Sequence, residues 1–243
     1  MTHRTISSND PMSDKFPCMS PYNYCANNTV ILVDPDGRDW YEAEDGSKTW
    51  KEGNDATIEQ NGVMYKNIGT STTISYMDGK YDIKFEQNSP IELTEHVLKN
   101  DDFRTQMNSD GTKKAGEAGN CFYQAGQMVE SSGATSLNGT ANNISNRQDG
   151  VNYINSQIDN GKSVRVQVDR TADGKGDHWV AISSRTTNLR TNQVISYGFF
   201  DPATSRTSKG VNNSFSISNF NLSGRPSYNS RLLYNVVNVR KNR

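Results

Sequence analysis

The spacing of apolar residues changes at Gly161, and that change limits what this chain can fold into. Upstream, Asn120 precedes Cys121-Phe122-Tyr123-Gln124-Ala125-Gly126-Gln127-Met128-Val129, and a second helical pattern runs over 147–158. Asn120 suits a helix N-cap and Asn160-Gly161 a helix stop. Downstream the period is two, over 163–169, 178–184, 194–200 and 232–239, with a weaker run at 214–217. Helices followed by antiparallel strands predict an α+β domain rather than a doubly wound one.

Before residue 90 the pattern differs. Strand-like runs at 29–33, 39–42, 62–65, 72–76 and 80–85 are separated by Asp-Pro-Asp-Gly, Asp-Gly and Asn-Gly turns, which predicts a meander of small hairpins. Residues 1–20, with Pro11 and Pro17, read as an irregular arm. Ser89-Pro90 then leads into 91–98, whose apolar positions suit a short amphipathic helix. The division predicted is therefore a β-rich module over 1–89 and a larger domain over 90–243.

Composition narrows the function classes. Of 243 residues 33% are hydrophobic and 22% charged, and 11 Tyr, 8 Phe and 3 Trp supply enough burial for a core. No run of 18 apolar residues predicts a membrane span, and Met1-Thr2-His3-Arg4 lacks the apolar core of a secretory signal. The net charge of −1 divides into −10 over 1–159 and +9 over 160–243. The basic half could face an acidic partner or an anionic polymer, but its cations are spread singly, as on a solvated surface. A nucleic-acid partner is not expected. Three cysteines, Cys18, Cys25 and Cys121, cannot make a dense disulfide scaffold.

Chemistry concentrates on three residues. Cys121 falls in the first turn of its helix, where unpaired N–H groups and the helix dipole favour the thiolate and can also hold an oxyanion. Of three histidines, His3 lies in the arm and His96 on the predicted helix, which leaves His178 at a strand start as the candidate base. If 178–184 and 194–200 form a hairpin with 184 opposite 195, then 178 lies opposite Asp201, about 5 Å away at Cβ. Asp177, adjacent on the strand, would point to the other face. Nucleophile, base and orienter are thus Cys121, His178 and Asp201. No Cys or His pair has metal-ligand spacing, so neither a metal nor another cofactor is expected.

Gly119-Asn120-Cys121, Gly176-Asp177-His178-Trp179-Val180 and Phe199-Phe200-Asp201-Pro202 resemble papain-like cysteine peptidases and amidohydrolases over residues 90–243. The resemblance implies a papain-like fold, N-terminal helices packed on an antiparallel sheet, with Cys121 as nucleophile, His178 as general base and acid, and Asp201 as orienter. Where that family carries an oxyanion glutamine, this chain has Ala115. Asn120 or Gln124 would substitute there, with Trp179 beside the substrate. Separately, Pro21-Tyr22-Asn23-Tyr24-Cys25-Ala26-Asn27-Asn28 through Val33-Asp34-Pro35-Asp36-Gly37-Arg38 is similar to the end of the core in Rhs (YD-repeat) proteins. That second resemblance implies an Rhs-core remnant over 1–89, ahead of a C-terminal toxin that travels through type VI secretion or an Rhs shell with a cognate immunity protein.

Combined, these readings predict an interbacterial effector, delivered into target cells, that hydrolyses amide bonds by a Cys-His-Asp mechanism. Peptidoglycan stem peptides in the periplasm are the first expected substrate. Two alternatives stand beside it. One is a protease, deamidase or transglutaminase acting on a cytosolic protein of the target cell, and the other is a non-catalytic binding module in which Cys121 is simply core.

Overall fold

The computed structural model describes residues 38–53, 55–135 and 142–243. The predicted strand at 29–33, Cys18, Cys25 and residues 21–37 of the Rhs-like motif lie outside the described residues. The chain divides into two compact units. The first holds the described residues up to Thr73 together with Lys84–Pro90, and the second holds Ile74–Ile83 and Ile91–Arg243.

In the first unit, β1 (Arg38–Ala43), β2 (Lys48–Glu52), β3 (Thr57–Gln60) and β4 (Val63–Gly69) form an antiparallel sheet in the order β2-β1-β4-β3. Asn61 and Gly62 join β3 to β4 with φ of 53° and 79°. Two left-handed residues make the primed turn whose twist matches the flanking strands, and glycine tolerates that conformation at no steric cost. Trp40 is fully buried, with the rings of Trp50 and Phe85 5.4 and 5.5 Å away, and its Nε1 donates to the Gln87 carbonyl at 2.8 Å. Burying such rings contributes roughly 3 kcal/mol each, and Trp40 does so without orphaning its N–H.

The second unit is built on a closed barrel. Its strands are β9 (Arg165–Asp169), β10 (His178–Asn188), β11 (Gln193–Phe200), β12 (Asn213–Ser218), β13 (Asn221–Gly224) and β14 (Tyr234–Arg240). They pair in the order β11-β12-β13-β14-β9-β10, and β10 pairs again with β11 to close the ring. From β10 the sheet continues through β7 (Ser89–His96), β6 (Tyr81–Glu86) and β5 (Ser71–Tyr76) in that order, and β8 (Asn143–Ile144) pairs with β14. The division between units falls within β5, β6 and β7. Val166, Val168, Val180, Ile182, Tyr197, Phe199, Phe215 and Tyr234 belong to one buried cluster, which also takes Val151, Ile154 and Ile158 from α2 (Arg147–Asp159).

A papain-like α+β fold is thereby overturned. Among the described residues there are three α-helices, α1 (Cys121–Ser131), α2 and the short α3 (Thr207–Val211), and the dominant structure is a six-stranded barrel. Period-two patterning identifies strands but carries no information on which distant edges meet, so the β10–β11 hairpin was legible and the pairing of β9 with β14 that completes the ring was not. The helix expected over 91–98 is also corrected, because β7 covers Ser89–His96 and pairs with β10. Ile91, Leu93 and Val97 fit a period of two as well as a helical face, and in so short a window the partner strand decides. There Thr94 and Thr186 share a hydroxyl hydrogen bond of 2.9 Å, and Glu95 accepts from Arg185 Nε at 2.9 Å.

Candidate active site

Helix α1 begins at Cys121, as the capping pattern predicts. Asn120 has extended backbone (φ −100°, ψ 119°) and its Oδ1 accepts from the Phe122 N–H at 2.9 Å. Behind this first turn, Ala125, Met128 and Val129 pack with Trp179, Ala181 and Phe200 in a cluster that Cys121 and Phe122 border. β10 is therefore buried on both faces: Val180 and Ile182 join the core that α2 caps, while Trp179 and Ala181 pack with α1. Such double coverage explains the unbroken apolar run after His178.

Strand directions gather the other groups. β14 is antiparallel to β9, β9 to β10 and β10 to β11. The start of β10, the end of β11 and the start of β14 consequently share one end of the barrel, and His178, Asp201 and Tyr234 stand there. The hairpin register differs from the expected one. Thr187 pairs with Val194 and Ala181 with Phe200, with bulges between, which extrapolates to Val180 rather than His178 opposite Asp201. The slip is of two residues, so both side chains keep the predicted face. His178 Nε2 and Asp201 Oδ1 are 2.8 Å apart, with the two side chains 2% and 0% exposed.

Asp201 is held on every side. Its Oδ1 also accepts from the Ala203 N–H at 2.8 Å, and its Oδ2 accepts from the Tyr234 hydroxyl at 2.8 Å. Tyr234 in turn lies 2.7 Å from the Tyr228 hydroxyl, and since its own proton is given to Asp201, Tyr228 is the donor. The Tyr234 ring also meets the His178 ring edge-on at 5.8 Å. Burial raises both phenols, Tyr228 to about 12 and Tyr234 further, so Tyr234 remains a donor throughout the neutral range.

His178 and Cys121 each shift the other's protonation. Burial opposes charging of the imidazole, but the Asp201 charge and hydrogen bond, followed by the hydrogen bond and charge of Cys121, lift it to about 9. Burial likewise pushes the Cys121 thiol up, and is outweighed by the hydrogen bond and charge of His178 and by the N–H groups of Trp179 and Phe122, leaving it below the ordinary thiol range. With Nε2 given to Asp201, Nδ1 is the ring nitrogen left for the sulfur. A thiolate–imidazolium pair oriented by a carboxylate can attack an electrophilic carbon and return the proton to a leaving group.

The remaining expected residues have other attachments. Gln124 is buried and its Nε2 donates to the Ala118 carbonyl at 3.1 Å. Trp179 places its ring 5.2 Å from Phe122, edge to face. Asp177 accepts from Arg170 Nε at 2.9 Å on the loop side. Arg165 lies over the Phe122 ring at 3.7 Å and donates to the Phe122 carbonyl at 2.7 Å, which anchors the turn next to Cys121. Tyr228, Tyr234 and Arg165 escaped the sequence reading. The signal for Tyr234 is its place at a strand start, which points to the site only once barrel closure is known. No group of three His, Cys, Asp or Glu among the described residues is arranged to hold a metal ion. No family model matches this chain, and neither the curated proteins nor the solved structures compared with it give a match.

Proposed function

We propose that the chain is a cysteine-dependent amide hydrolase. The observation that supports this most is the buried Asp201–His178 pair, 2.8 Å apart, beside a Cys121 that opens a helix and whose thiol the imidazole lowers. In the proposed reaction the Cys121 thiolate attacks the amide carbon, and N–H groups around the helix start bear the oxyanion charge. His178 gives its proton to the departing amine as the C–N bond breaks. Water, deprotonated by the now neutral imidazole, then cleaves the thioester, and the sulfur leaves as thiolate beside the re-formed imidazolium.

The proposed setting is an interbacterial effector delivered into target cells by the type VI machinery or an Rhs shell, with a cognate immunity protein in the producer. It rests on the Rhs-like motif that ends at Arg38. Peptidoglycan stem peptides in the periplasm are the proposed substrate, in keeping with the +9 balance over residues 160–243. Purified wall fragments incubated with wild type and with Cys121→Ala test this by mass spectrometry. A gain of one water that requires the thiol is expected. Intact fragments, together with killing only when the protein is directed to the cytosol, would transfer the same chemistry to a cytosolic protein, and killing by Cys121→Ala would reject the enzyme reading.

A further inference from the structure

We propose that a groove on the outer face of β10 and β11 is a binding site for a neutral saccharide. It is independent of the hydrolase reading. α1 covers this face of β10 only as far as Ala181, and beyond it the sheet opens into a groove of about 300 Å³, within the usual range for small-ligand sites.

The groove has a built polar floor. A bulge between Ile182 and Ser184 sets Ser183 and Ser184 together over Gly198, where a Cβ would stand 2.3 Å from Ser184 Oγ and 2.9 Å from Ser183 Oγ. Without the extra residue, alternation would send Ser183 and Ser184 to opposite faces. Glycine at 198 makes the space into which both hydroxyls lean. Ser196 of β11 and Ser214 of β12 continue the row. These four hydroxyls have no hydrogen-bond partner among the described residues, whereas the Asn213 amide is consumed by the Phe199, Lys209 and Gly210 carbonyls.

Charge and backbone choose the ligand class. The lining contains no Lys, Arg, Asp or Glu, and its one imidazole, His96, is already 2.9 Å from Asp82 Oδ2. A charged ligand finds no counter-ion there. An extended peptide finds no edge either: β10 is paired with β7 and β11, and β11 with β10 and β12, so the main-chain groups that a strand-adding peptide needs are spent. What remains is a row of neutral hydroxyl groups over a floor closed beneath by the buried Leu98 and Phe200, which suits the uncharged hydroxyls of a sugar ring.

The test is chemical-shift mapping on the full chain in the Cys121→Ala background, so that turnover does not intervene. The probes are chitobiose, cellobiose, maltose and lactose, with an uncharged Gly-Ser peptide as comparison. At least one disaccharide should shift the amides of Ser184, Ser196 and Ser214 saturably. The double variant Ser183→Ala/Ser184→Ala should weaken that binding at least about tenfold, and Ser196→Tyr should abolish it, with the rest of the spectrum unchanged. No saturable shift from any sugar at about 10 mM, where even a ~1 mM site would be mostly filled, overturns the proposal. Equal affinity in both variants, or binding of the peptide instead of the sugars, overturns it as well.

Discussion

At the end of the barrel and on its outer face, polar side chains are treated in opposite ways. Around Asp201 both carboxylate oxygens are taken, by His178 and Ala203 on one side and Tyr234 on the other, and the residue is fully buried. In the groove, the hydroxyls of Ser183, Ser184, Ser196 and Ser214 reach no partner among the described residues. A satisfied buried network fixes one geometry and is destabilising to break, while hydroxyls left open at a groove cost little to lose and stay available to another molecule. The first region is preorganised for charge, the second for neutral recognition.

The contrast should be sharpest in activity. Cys121→Ala is expected to abolish amide hydrolysis, and Asp201→Asn to lower its rate by about 10⁴, since an orienting carboxylate also stabilises the imidazolium. Single-turnover kinetics on the proposed wall-fragment substrate would measure both, and an Asp201→Asn variant of near-normal rate would break the comparison. Tyr234→Phe removes a donor to a buried carboxylate and should destabilise the fold by about 1.5–3 kcal/mol in urea titration, with a smaller loss of rate.

A third expectation concerns pH. His178 is lifted from 6.5 to about 9, so its contribution to stability is complete below about 6.5 and is lost as pH rises through about 9. Cys121 has the opposite sign: its contribution is present above the ordinary thiol value of 9.0 and is lost as pH falls through its lowered folded value. In wild type the two slopes oppose each other. In Cys121→Ala only the imidazolium slope remains, its upper end moved below about 9 by loss of the Cys121 hydrogen bond and charge, and just above about pH 6.5 stability should fall more steeply than in wild type. The smallest effect belongs to the groove, where Ser183→Ala/Ser184→Ala should leave stability within about 0.5 kcal/mol and hydrolysis of a small amide unchanged.

Local structure was legible in the sequence, and long-range pairing was not. The Asn120 cap, the start of α1 at Cys121, α2 and the starts of β10 and β11 follow from short-range patterns. His178 and Asp201 were brought together by a register two residues away from the observed one, because a two-residue slip preserves the face and the side chains reach diagonally. The tyrosine pair behind Asp201 depends on β14 joining β9, a contact between segments 65 or more residues apart that periodicity does not encode. Residues 91–98 failed for a related reason, since a partner strand outweighed an ambiguous local pattern.

The most direct measurement is the pH dependence of Cys121 alkylation by iodoacetamide, followed by peptide mass mapping in wild type and in His178→Ala. Modification in wild type should titrate below the ordinary thiol value of 9.0, and in His178→Ala the midpoint should move upward. Two coincident titrations, both in the ordinary thiol range, would contradict a sulfur, imidazole and carboxylate acting as one unit.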